Sequence, residues 1–223
     1  LFFYILSFFS EKVLNNINFV VYLGWLISLY VLTIDDKRLR GKFNFSLFLK
    51  WAFIVIIIDL FRLGILNFYF QSEVDFTDLL NRLAGTFTVG LFTATFNLIF
   101  TMGEEYGWRY FSQTRLQSLY GNRIGVLLTG LMWGLTHFPL YCMVFYSGTE
   151  GIYAGIEITV FCIAIGIVLG LIYMESRSII MVTFIHLLHN MFMTNVTSAE
   201  YNQDFIFTKE FLLVSVIINI VFY

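Results

Sequence analysis

The sequence predicts an all-α, polytopic membrane protein with about seven transmembrane helices. Three observations carry that reading. Of the 223 residues, 59% are hydrophobic and 20% aromatic. Only 13% are charged, where a soluble domain carries about 25%. Several apolar runs reach the roughly 20 residues a helix needs to cross a bilayer, and the mean hydropathy is +0.80. The helices number eight if residues 1–9, apolar but too short to span, end a helix whose start lies upstream.

The elements follow in order. Residues 10–18 are a mostly polar break, and 19–33 are the first full span. A loop at 35–44 holds Lys37, Arg38, Arg40 and Lys42. The second span, 45–70, is interrupted by Lys50, Asp59 and Arg62; the last two are i,i+3 and can neutralise each other. An acidic loop at 71–82 contains Glu73, Asp75 and Asp78. The third span, 84–102, leads into Gly103-Glu104-Glu105-Tyr106-Gly107-Trp108-Arg109. Residues 106–123 are amphipathic, with Arg109, Arg115 and Arg123 among aromatics. They read either as a continuation of the third helix out of the membrane or as an interfacial helix. The fourth span, 124–146, holds His137 and the only proline, Pro139. A turn at 148–151 precedes the fifth span, 152–174. A tight turn at 175–178, around Arg177, precedes the sixth, 179–194, with His186, His189 and Asn190. A polar loop, 195–204, and a seventh span, 205–223, complete the chain.

Lys and Arg concentrate on cytoplasmic loops. The segments 35–44, 106–123 and 175–178 hold most of the basic residues, while 71–82, 148–151 and 195–204 are mostly acidic. The two sets alternate, as consecutive spans require, so the first set is expected in the cytoplasm. The net charge of −2 says little beside this placement. No basic patch with interleaved aromatics suggests nucleic acid. Cys142 and Cys162 lie in apolar runs, which favours buried thiols over a disulfide, and no metal-type cysteine spacing occurs. Neither a basic n-region nor a small-residue cleavage site marks a signal peptide. Without repeats or linkers, residues 1–223 read as a single integral-membrane domain.

An ionisable residue at membrane depth is a functional-site hypothesis by default. Glu105 and Arg109 are four apart with Glu first, the better orientation for a helical ion pair. Glu104 sits about 100° round the helix, with no basic residue three or four positions away. It is the carboxylate left for chemistry. A low-dielectric cavity makes such a group a usable general base near neutral pH. All three histidines fall inside apolar runs. One alone is often an interhelical hydrogen bonder. Here, however, His186 and Asn190 share a face at i,i+4, and two neutral donors side by side are what a developing oxyanion needs. His137 on another helix can orient a water against Glu104.

Three ordered motifs result: Glu-Glu-x-x-x-Arg at 104–109, aromatic-x-x-x-His at 133–137 and His-x-x-x-Asn at 186–190. Together they resemble the signature of the CAAX protease and bacteriocin-processing (CPBP, or Abi) family, which contains the type II CAAX prenyl endopeptidases. The resemblance covers about residues 84–195, the expected catalytic core. Trp133 stands where many members have Phe. The resemblance implies an intramembrane glutamate endopeptidase acting on a peptide or a lipidated, prenylated C-terminal substrate. Carried onto this chain, Glu104 and His137 activate water, His186 and Asn190 stabilise the oxyanion, and Glu105 and Arg109 support the site. His189 is outside the motif.

A zinc-dependent version is the alternative, because three His and a Glu can furnish an open zinc site. The His-Glu-x-x-His motif is absent, and a zinc site has no need of Asn190. The expectation is therefore that no cofactor is required. A non-enzymatic immunity or scaffold protein on the same fold is the other function class. A transporter ranks last, since paired broken helices in two halves are missing. One geometric tension remains. His137 lies roughly 20 Å along a helix starting near Ile124, and His186 only about 12 Å along one starting near Ser178.

Overall fold

A computed structural model of the chain describes residues 43–70, 97–197 and 208–222, which are helical nearly throughout, with no strand among them. The first span at 19–33, the loop at 71–82 and most of the loop at 195–204 lie outside the described residues, and the count of seven or eight spans depends on them. Helix α1 is Phe45–Phe70, the expected second span. Its first turn is capped by Asn44, whose Oδ1 accepts the Leu47 N–H at 3.1 Å. Helix α2 includes residues 97–105 and runs unbroken through a π-helical stretch, Tyr106–Gln113, into Thr114–Tyr120. Residues 106–120 of the amphipathic segment are thus a continuation of the helix that carries the Glu pair, while Asn122 and Arg123 open the next helix. Gly121, at φ 82°, ends α2 in a conformation that favours glycine.

Helix α3 is Asn122–Leu140, followed without a break by a second π turn, Tyr141–Phe145. Pro139 has no N–H to give the carbonyl one turn back, so the regular ladder is interrupted just beyond His137. Helix α4 is Gly148–Ser176. It begins where a turn was expected: Ser147 is extended and Gly148 has φ 58°, so one pivot replaces a longer loop. At its other end Arg177 takes the left-handed conformation and donates its N–H to Tyr173 O at 2.8 Å. Ser178 then caps α5, Ile179–Thr197, by accepting the Met181 N–H at 3.3 Å. Helix α6 is Lys209–Phe222, capped by Thr208. Among the described helices, α4 is long and apolar enough to cross a membrane; α5 has a shorter apolar stretch, Ile179–Met193.

Among the described helices, the largest interface joins α3 to α4. Small residues let the backbones touch. A Cβ on Gly134 would lie 2.7 Å from Thr159 O, and one on Gly130 would lie 2.9 Å from the Ile163 Cα. The main core gathers Ile165, Leu169 and Ile172 of α4, Val182 and Ile185 of α5, Val55 of α1 and Trp133 of α3. The start of α1, the end of α2 and the end of α4 converge on one end of this bundle. Lys50 near the start of α1 pairs with Glu175 at the end of α4 at 2.9 Å, and the Trp51 Nε1–H donates to the same carboxylate at 2.7 Å. Gln117, near the end of α2, reaches Met174 Sδ at 3.1 Å.

Candidate active site

Glu104 and Glu105 close the α-helical part of α2, just before the π stretch. Adjacent helical residues diverge by about 100°, and the two carboxylates meet different surroundings. Glu105 points inward and is fully buried. Its Oε2 accepts the Arg109 Nε–H at 2.8 Å, and its Oε1 accepts the His186 Nδ1–H at 2.6 Å. The i,i+4 pair read from the sequence therefore exists, with a histidine from α5 as third member. Burying such charges is tolerable only because each is met by another. The Arg109 guanidinium also lies over the Trp133 ring, 5.1 Å from its centroid.

Glu104 is half-buried. Its Oε1 accepts the Trp133 Nε1–H at 2.7 Å. That indole is the hub of the site. It meets His137 edge-on at 5.9 Å and His186 edge-on at 5.3 Å between ring centroids. Trp133 lies one turn before His137 on α3, and its ring touches both histidines. Two of the three motif-bearing helices carry π turns, Tyr106–Gln113 of α2, which includes Arg109, and Tyr141–Phe145 of α3, just beyond His137, and π turns occur frequently at functional sites.

The partners fix the histidine tautomers. His137 Nδ1 lies 3.0 Å from Trp133 O. A carbonyl only accepts, so Nδ1 carries the proton, and the neutral ring keeps its lone pair at Nε2. His186 likewise commits its Nδ1–H to a carboxylate. Its Nε2 accepts in the neutral ring and donates only as imidazolium.

Glu104, Glu105, Arg109, His137 and His186 are thus gathered about Trp133. Asn190 is not. It follows His186 by one turn on α5, but its side chain is exposed, and among the described residues it makes no hydrogen bond to the site. His186 and His189 are i,i+3, yet they face different carboxylates, Glu105 and Asp59. His189 therefore stands apart from His137 and His186, and among the described residues no group of three His, Cys, Asp or Glu side chains is placed to hold an ion.

Two features escaped the sequence reading. The first is the donor role of Trp133; an indole at the aromatic position of the second motif carried that signal, since a buried Trp N–H needs a partner. The second is a separate buried polar cluster. Asp59 and Arg62 were read as a local pair, but each also reaches another helix: Asp59 to His189 of α5 at 2.9 Å, and Arg62 to Glu157 of α4 at 3.0 Å. Ser215 of α6 donates to Glu157 at 2.7 Å.

Residues 86–192 match the family model described as type II CAAX prenyl endopeptidase Rce1-like, and all three motifs fall inside the match. No curated protein and no solved structure matches the chain. The family is one of membrane-embedded proteases. Residues 86–192 of this helical chain are a type II CAAX prenyl endopeptidase Rce1-like domain.

Proposed function

We propose that the protein is an intramembrane endopeptidase in which Glu104 and His137 activate water, without a metal, to cleave a peptide or a prenylated C-terminal substrate. The observation that carries this is the division of labour between the two glutamates. Glu105 is fully buried and committed to Arg109 and His186. Glu104 is half-buried and, among the described residues, held only by the neutral Trp133 N–H. A carboxylate held by one neutral donor keeps lone pairs for the proton of a water, and the His137 tautomer offers a second acceptor at Nε2.

In this scheme the water oxygen adds to the scissile carbonyl carbon, and its proton passes to Glu104. The oxyanion is met by His186, which donates from Nε2 as imidazolium while Glu105 balances its charge. Asn190 is the second donor. Its spacing from His186 and the family resemblance support that role, and its exposed side chain has to turn inward to serve. The C–N bond then breaks, and the proton held by Glu104 goes to the leaving amine. Removing a general base costs about 10²–10⁴-fold in rate.

The same reading makes the protein a multi-pass cell-membrane protein with its active site toward the cytoplasm. The meeting of Lys50, Gln117 and the end of α4 supports it, because it brings the basic stretch 106–123 and the turn around Arg177 to the same end of the bundle as the start of α1.

The test uses purified protein and an internally quenched farnesylated peptide ending in Cys-aliphatic-aliphatic-Met. Wild type should cleave it, and Glu104→Gln should fold and bind it without turnover. Metal-stripped wild type should keep its activity. Activity lost on stripping and restored by one zinc per chain would replace this mechanism, and full turnover by Glu104→Gln would end it.

A further inference from the structure

The buried cluster on the far side of His186 has no part in the mechanism above, yet it touches the same helix. His186 and His189 are three residues apart on α5, roughly 4.5 Å along its axis, and both are buried. Both use Nδ1 toward a carboxylate on another helix. For His186 this is Glu105 of α2; for His189 it is Asp59 of α1. Asp59 is fully buried, and its oxygens lie 3.1 and 2.9 Å from that nitrogen. The His189 ring also stacks on Phe161 of α4, 5.5 Å between centroids at 25°. Arg62 of α1 lies over the same Phe161 ring at 4.7 Å and pairs with Glu157.

These contacts fix the edge and the face of one imidazole, and through it the rotation of α5. A rotation that carried His189 away from Asp59 would carry His186 away from Glu105 and Trp133, because both rings ride on one rigid helix. A contact serving cohesion alone has no need of charge, since a well-packed apolar pair is often at least as stable as a buried ion pair. What the Asp59–His189 pair adds is direction. Asp59 also lies outside residues 86–192, the segment matched to the protease family.

We propose that Asp59, acting through His189, is a positioning residue for His186, so that α1 belongs to the catalytic unit. This rests on the reading of His186 as an oxyanion donor. The variants are Asp59→Asn, His189→Gln and the double mutant, each assayed on the farnesylated peptide for kcat and KM and each melted in detergent. A second readout does not use activity. Protein labelled with 5-fluorotryptophan gives a Trp133 ¹⁹F resonance, assigned through Trp133→Phe, that reports the ring contact with His186.

Each single variant should lower kcat about 10–100-fold with KM unchanged, and should shift the Trp133 resonance. The double mutant should be no worse than either single variant, as members of one interacting pair behave. Wild-type kcat with an unmoved Trp133 resonance would overturn the proposal. So would losses that follow melting temperature alone while the resonance stays in place. If Asp59→Asn fails to fold, His189→Gln carries the same two readouts. If wild type leaves the peptide intact, that outcome counts against the protease reading, and the Trp133 resonance alone decides the positioning.

Discussion

Trp133 Nε1 donates a 2.7 Å hydrogen bond to Glu104 Oε1, so one side chain both packs against His137 and His186 and holds the carboxylate assigned to water activation. Trp133→Phe separates these tasks. Phenylalanine keeps an aromatic ring and loses the donor. A hydrogen bond to a charged group is worth about 1.5–3 kcal/mol, and each 1.36 kcal/mol is about tenfold in rate. Turnover of Trp133→Phe should fall roughly 10–100-fold while the melting temperature changes little. Unchanged kcat would show that the indole N–H does not orient Glu104.

Glu105 and Arg109 should behave as one unit. Glu105→Gln strands the Arg109 guanidinium, and Arg109→Gln strands the carboxylate; both residues are fully buried. Breaking a buried pair from one side costs about 3–5 kcal/mol. Each single variant should melt lower, and the double mutant should cost less than the sum of the two. Melting temperatures in detergent test this, and strict additivity would mean the two side chains are energetically independent. A stable but inactive Glu105→Gln beside an active Glu104→Gln would exchange the roles of the two glutamates.

Gly134 is the tightest point between α3 and α4 near the site. An added Cβ meets Thr159 O at 2.7 Å and Thr159 Cα at 2.8 Å, both backbone atoms that cannot rotate aside. Gly134→Ala should force the helices apart at a cost of about 1–3 kcal/mol. Because Trp133 and His137 flank this contact on α3, activity should fall as well. A Gly134→Ala protein with wild-type melting and turnover would show that the interface relaxes without disturbing the motif.

Helix α4, at 29 residues, is about 43 Å long, enough for a hydrocarbon core of about 30 Å. Its ends should therefore face opposite sides of the membrane. In a background with Cys142 and Cys162 replaced by Ser, Ser147→Cys should react with a membrane-impermeant maleimide in intact cells. Arg177→Cys should react only after permeabilisation. Labelling of Arg177→Cys in intact cells would reverse the orientation and, with it, the side from which substrate enters.

Local pattern was enough for much of this protein. Apolar composition and run length specified an all-helical class, and α1 occupies the predicted residues 45–70. Spacing along one helix specified the Glu105–Arg109 pair, since i,i+4 neighbours meet whatever the rest of the chain does. The ordered motifs led to the same family that residues 86–192 match. What crossed between helices was not legible in that way. The sequence placed His186 and Asn190 together on one face; in the fold His186 turns to Glu105, and Asn190 stays exposed. The bond from Trp133 to Glu104 spans 29 residues and the bond from His189 to Asp59 spans 130. Such contacts depend on the rotation and axial offset of each helix against its neighbours. Those are set by where backbones can approach, as at Gly130 and Gly134, and by which buried charges must find partners. The periodicity of a single helix records which face is apolar, and not what stands opposite.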